Sequence, residues 1–113
     1  MTTGRLIFKS KILEKKYGLK GKVASHYLKA GYQVSIPRNQ PVDIIAVGNK
    51  NRFVIKVVAR KNKLTSETIK GVQEYAKRAN ARAIIAIYGG LKVDKEFIEN
   101  ATSSGVKLKR IRG

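Results

Sequence analysis

Asp43 is a lone carboxylate set in an apolar strand, the residue type that in a cluster would hold a divalent cation. It sits in Pro41-Val42-Asp43-Ile44-Ile45-Ala46-Val47, an apolar stretch that reads as a strand, and residues 49–66 bring no second acid beside it. The neighbouring stretch Phe53-Val54-Ile55-Lys56-Val57-Val58-Ala59-Arg60 places a cation, Lys56, within it. Divalent ions such as Mg²⁺ bind through oxygen ligands that usually include carboxylates, so Asp43 alone gives little metal affinity. Phosphate chemistry is better supplied. Arg38 lies in the proline-bounded loop, and Arg60, Lys61 and Lys63 follow the second strand. Lys20 and Lys22 open a helix whose N–H groups suit an anion. Arginine can grip phosphate through two parallel bonds while lysine acts as a point charge, which makes Arg38 and Arg60 the sharper candidates.

The elements that must position these residues follow from hydrophobic periodicity. Val42–Val47 and Arg52–Arg60 form an antiparallel hairpin joined by Gly48-Asn49-Lys50-Asn51. Tyr32–Ile36 alternates apolar and polar, as a half-buried strand should. Before it, Val23, Ala24, Tyr27 and Leu28 make one helical stripe, and Gly31 sits where a left-handed cap ends a helix. Residues 5–17 suit a short amphipathic helix, with Arg5–Phe8 alternatively a strand. After the hairpin, Thr65 or Ser66 caps a helix lined by Ile69, Val72, Ala76 and Ala79. Ala83–Tyr88 is a continuous apolar run, expected to be a buried parallel strand. A helix over Asp94–Ser104, with Phe97, Ile98 and Ala101 inward, and a basic edge strand Val106–Ile111 complete the chain. The order α-βββ-α-β-α-β predicts an α/β fold: a mixed sheet flanked by helices on both faces. A basic N-terminal segment, residues 1–17, precedes one α/β domain, residues 18–113.

Composition narrows the function. Lys and Arg number 25 against 7 acids, a formal charge of +18. Such a field opposes compaction and predicts a polyanionic partner, nucleic acid first. A charge-rich thermophilic surface would normally add Glu beside Lys, and Glu is scarce here. Cysteine is absent, so disulfides and cysteine metal sites are excluded. No apolar run approaches a membrane span and no signal-peptide pattern opens the chain, so an intracellular, cytoplasmic protein is expected. The five tyrosines fall mostly at core positions, and His26 reads as packing or surface.

In its order of elements and four local stretches the chain resembles the PD-(D/E)xK nuclease superfamily, particularly archaeal Holliday-junction resolvases and Mrr-like restriction endonucleases. The stretches are Gly21-Lys22-Val23-Ala24-Ser25, Leu28-Lys29-Ala30-Gly31-Tyr32-Gln33-Val34, Pro41–Ala46 and Phe53–Arg60. The resemblance implies a restriction-endonuclease-like sheet and a site of one helix acid, one Asp on the second strand and Glu-x-Lys on the third. There the acids hold divalent ions that activate water. Aligned on those stretches, the helix acid becomes Ser25, the aspartate is kept as Asp43, and Glu-x-Lys becomes Lys56-Val57-Val58. The expectation is a pseudoenzyme: no catalytic set beyond a vestigial Asp43, no metal, and a basic face that binds structured or duplex DNA. DNA is favoured over RNA, with a homodimer or a larger assembly as the working form and no membrane partner. Lys56 would either pair with Asp43 or point outward to phosphate. Two alternatives stand beside this reading. One is a non-catalytic subunit of an RNA-processing assembly like the tRNA-splicing endonuclease. The other is a Mg²⁺-dependent nuclease with ligands relocated to Glu67 or Glu74.

Overall fold

The structure, a computed structural model, describes residues 11–111. The readings made for Arg5–Phe8 lie outside the described residues. Residues 11–17 are helical (α1), and Leu19–Lys29 forms α2. Gly18, at φ 60°, ψ −124°, makes the break between them in a backbone region that suits glycine. The two helices then touch closely: a Cβ on Gly21 would stand 1.8 Å from the Leu13 carbonyl oxygen, so only glycine fits there.

Three strands follow as a meander, β1 (Gln33–Ser35), β2 (Ile44–Val47) and β3 (Arg52–Val58), each antiparallel to the one before. Gly48 closes the hairpin by donating its N–H to the Asn51 carbonyl at 2.7 Å. A short 3₁₀ turn, Lys61–Lys63, follows β3. It leads to α3 (Ser66–Ala79), whose N-cap Thr65 accepts from the Thr68 N–H. Asn80, in the left-handed conformation, ends that helix. Then come β4 (Arg82–Tyr88), α4 (Lys95–Ser103) and β5 (Val106–Ile111).

The sheet order is β1-β2-β3-β4-β5, with β3, β4 and β5 mutually parallel. Helical connections are what allow successive strands to run parallel, and α3 and α4 supply them. Period-two alternation along β3 and β4 sorts the core into two layers. Val54, Val58, Ile85 and Ile87 pack with Ile69, Val72 and Ala76 of α3 and Phe97 and Ala101 of α4. Ile55, Ile84 and Ala86 pack with Val23, Ala24 and Tyr27 of α2, and Leu13 joins that layer. The expected mixed sheet with helices on both faces is therefore present. One inward assignment fails: Ile98 is 44% exposed, because Phe97 and Ala101 already fill the α4 contact with the sheet.

Tyr27 marks the second layer. Burial, and secondarily the neighbouring Tyr32, push its phenol above the ordinary tyrosine value. A raised folded-state value means its contribution is intact below the unfolded tyrosine pKa of about 10 and is lost as pH climbs through the folded one. Alkaline unfolding followed by circular dichroism should therefore show a smaller loss of stability above about pH 10 for Tyr27→Phe than for the unaltered chain. An identical alkaline limb in both proteins would contradict this.

Candidate nucleic-acid interface

Asp43 lies one residue before β2, and its N–H donates to the Ile55 carbonyl at 2.8 Å, extending the β2–β3 ladder. That pairing sets the carboxylate against the far half of β3, and Asp43 is only 4% exposed. A carboxylate this buried needs partners. It has three: the Val57 N–H donates to Oδ2 at 2.8 Å, Lys56 Nζ stands 3.4 Å from Oδ2, and Lys20 Nζ stands 3.0 Å from Oδ1. Both carboxylate oxygens are thus held by donors of this chain.

Of the two expectations for Lys56, the structure shows the ion pair. Its side chain is a quarter exposed, a partly sunken cation beside a buried anion. The other partner was not foreseen. The sequence places Lys20 at a helix start where its charge suits phosphate, whereas α2 aims it at Asp43. Ser25, aligned with the missing helix acid, lies away from Asp43. It is buried at 2%, and its hydroxyl donates to the Lys22 carbonyl. Five residues separate Lys20 from Ser25, about 140° around a helix, so they occupy different faces. The α2 position that meets Asp43 is therefore Lys20.

Val58 shares the α3-side face of β3 with Lys56 and is wholly buried among Val42, Val54 and Ile69. The position where the resemblance implies a lysine is now apolar core. Lys22 is half-buried and faces a cleft lined by Glu14, Ser25 and Lys109, away from Asp43. Its N–H donates to the Gly18 carbonyl as the first bond of α2, so a phosphate at this helix start would meet the N–H groups of the turn before it.

Arg60, Lys61 and Lys63 are exposed on the segment that leaves β3 just beyond Lys56. Arg38 is exposed in the loop between β1 and Asp43. The topology thus gathers Lys20, Lys56 and Arg60–Lys63 at the end of the sheet where β3 finishes. Glu67 is exposed in the first turn of α3, and Glu74 lines a shallow groove with Lys70 and Asn100. Among the described residues no three acidic or histidine side chains come together as a group able to hold a metal ion. None of the described helices is long and apolar enough to cross a membrane.

Comparison with known proteins agrees with this architecture. A crystal structure of a protein of unknown function, AF1548, superposes with a TM-score of 0.53 at 12% identity, over 93% of this chain. This chain spans 58% of that structure's length. No curated protein matches. The profile of the PD-(D/E)XK superfamily domain matches residues 17–100, from the end of α1 into α4. With that match across most of its length, and with the mixed sheet and Asp43 in place, the chain belongs to the PD-(D/E)XK superfamily.

Proposed function

We propose that this nuclease-like domain binds nucleic acid, structured or duplex DNA first, and does not cleave it. One observation carries the reading: Asp43 is enclosed by two ammonium groups and a backbone N–H. A divalent cation at that carboxylate would have to displace Lys20 and stand against Lys56. Cations at these two positions repel Mg²⁺ where acids would bind it. The Lys20–Asp43–Lys56 cluster instead carries one net positive charge, from two lysines and one aspartate. Beside it stand Arg60, Lys61 and Lys63, and the whole chain is at +18. That combination suits a phosphate backbone read by charge and shape, which positions a duplex without reading its sequence. A homodimer or a larger assembly would present two such faces to a branched substrate.

Fluorescence anisotropy with duplex, four-way junction and tRNA probes, at rising salt, tests the binding. Affinity should fall linearly on a log–log plot against salt. Arg60→Glu with Lys61→Glu should weaken duplex binding by about tenfold or more, since each phosphate contact adds to the counterion-release slope. Lys50→Glu, in the hairpin turn at the other end of β3, should change it little. Equal effects would show diffuse attraction with no defined face. Incubating the same probes with Mg²⁺ or Mn²⁺ tests the second half of the proposal. Cleavage abolished by Asp43→Ala would refute it and favour a nuclease with relocated ligands. Preference for tRNA over both DNA probes would favour the RNA-processing subunit.

A further inference from the structure

A second surface lies at the opposite end of the sheet from Asp43. A groove of about 820 Å³ opens where β4 and β5 begin, between the C-terminal ends of α2 and α3. That size falls within the usual range for a small-molecule site, roughly 300–1,000 Å³. On β3, Phe53 marks this end and Lys56 the other, about 10 Å apart at ~3.3 Å per residue.

The floor and the rim differ in chemistry. Apolar floor comes from Tyr27, Tyr32, Phe53 and Ile84. The three rings are locked together: Tyr32 meets Tyr27 and Phe53 edge-on, with centroids 5.8 and 5.6 Å apart. Around them stand Lys77, Arg82, Lys107 and Lys109, and no acid is among the described lining residues. Lys109 Nζ lies 5.6 Å from the Tyr27 ring centroid, so a cation already borders the aromatic floor. Lys77 sits in the last turn of α3, where the helix dipole alone would favour a cation. Arg82, Lys107 and Lys109 are strand residues and have no such reason to cluster.

An aromatic floor under a wholly cationic rim matches a ligand with a flat apolar part and an attached negative charge. We infer that this groove seats an unpaired nucleotide of a nucleic-acid strand, its base against Tyr32 and Phe53 and its phosphates on Arg82, Lys107 and Lys109. Every base has a π-face, so such a seat tolerates any sequence. The rigid ring cluster is formed before the ligand arrives, which lowers the ordering cost of binding. The inference does not depend on the Asp43 face, since the two surfaces share no residue.

The test compares two single strands of equal charge, an oligothymidylate and an abasic strand, each of about eight nucleotides, within the range of single-strand site sizes. Binding is followed by amide chemical shifts on the full chain. The base-bearing strand should bind more tightly by about tenfold, as stacking of a base on an aromatic ring predicts. Its shifts should centre on residues 81–84 and 104–109. Tyr32→Leu, which stays apolar but lacks a ring, should erase the preference. Equal affinity for the two strands would overturn the inference, as would shifts centred on residues 43–47 and 56–63 or a preference that survives Tyr32→Leu. A polyglutamate peptide of equal charge that perturbs the groove as strongly as the oligothymidylate would also overturn it. Duplex binding at the Asp43 end is read separately, by the Arg60 and Lys61 reversals, so either proposal can fail alone.

Discussion

Asp43→Ala is expected to bind duplex DNA more tightly than the unaltered chain while unfolding at a lower urea concentration. The structure ties both effects to one carboxylate. Removing it leaves the Val57 N–H without its acceptor and Lys56, a quarter exposed, without its counter-ion. An orphaned donor and a half-sunken cation together should cost about 2 kcal/mol. Lys20, half exposed, can swing to water and loses little. The same change raises the local charge by one unit where the proposed DNA lies. A unit charge about 4 Å from a phosphate in high dielectric is worth about 1 kcal/mol, or roughly fivefold in affinity. Asp43→Asn separates the two effects, because its amide oxygen can still accept from Val57. It should keep most of the stability and show the same gain in binding. An acid that holds a catalytic ion would in addition lose metal-dependent cleavage on removal, so both variants are also assayed for cleavage with Mg²⁺ or Mn²⁺. Weaker binding by both variants would count against the proposed function.

The second large effect is the construction of a metal site. Lys20→Glu with Lys56→Glu should place three carboxylates around the point where Lys20, Lys56 and Asp43 now converge. Without metal their mutual repulsion should lower the melting temperature. Manganese should bind with a dissociation constant of about 10⁻⁴ M or tighter, typical of a modest all-oxygen site. At a hundredfold excess over that constant, it should restore about 2.7 kcal/mol of stability. The control is Ser25→Glu with Lys56→Glu, which puts the helix acid where sequence alignment alone would place it. Ser25 is buried on a different face of α2, so this pair should bind manganese no better than the unaltered chain. Calorimetry gives the affinity and thermal melts give the linkage. Equal metal binding by the two double variants would show that Lys20 does not stand at the acid position.

The contrast between Ser25 and Lys20 shows where sequence reading reaches its limit. The hairpin was legible because Val42–Val47 and Phe53–Val58 are apolar, β-branched runs around a glycine turn, and one register follows from the loop. The parallel strand Ala83–Tyr88 was legible because it is too short and too uniformly apolar for a helix, whereas Val106–Ile111 was legible only as an edge strand. Periodicity on α2 identified the buried stripe of Val23, Ala24 and Tyr27. It could not say which flank of that stripe looks toward the end of β3. That depends on how α2 crosses the sheet, and its tight contact with α1 at Gly21 helps to set the crossing. Ile98 failed for a similar reason, since the boundary of an apolar face is blurred by one position on a short helix. The aromatic groove was missed because its rings come from α2, the residue just before β1, and β3, separated by up to 26 residues between Tyr27 and Phe53. Each tyrosine taken singly reads as core, and only assembly reveals a shared floor.

The outer position of β5 has a consequence for self-association. Among the described residues this strand has a neighbour on one side only, β4, so the backbone groups of alternate residues point outward from its other side. Such a rim is an open template for stacking molecule on molecule into aggregates. Lys107, Lys109 and Arg110 stand along it and are exposed. Two copies meeting there would press like charges together, which deters sheet-to-sheet growth while the protein is free. A polyanion spread across those side chains would cancel the deterrent. Crowding on a long nucleic acid is therefore the condition under which this rim would turn from self-avoiding to adhesive.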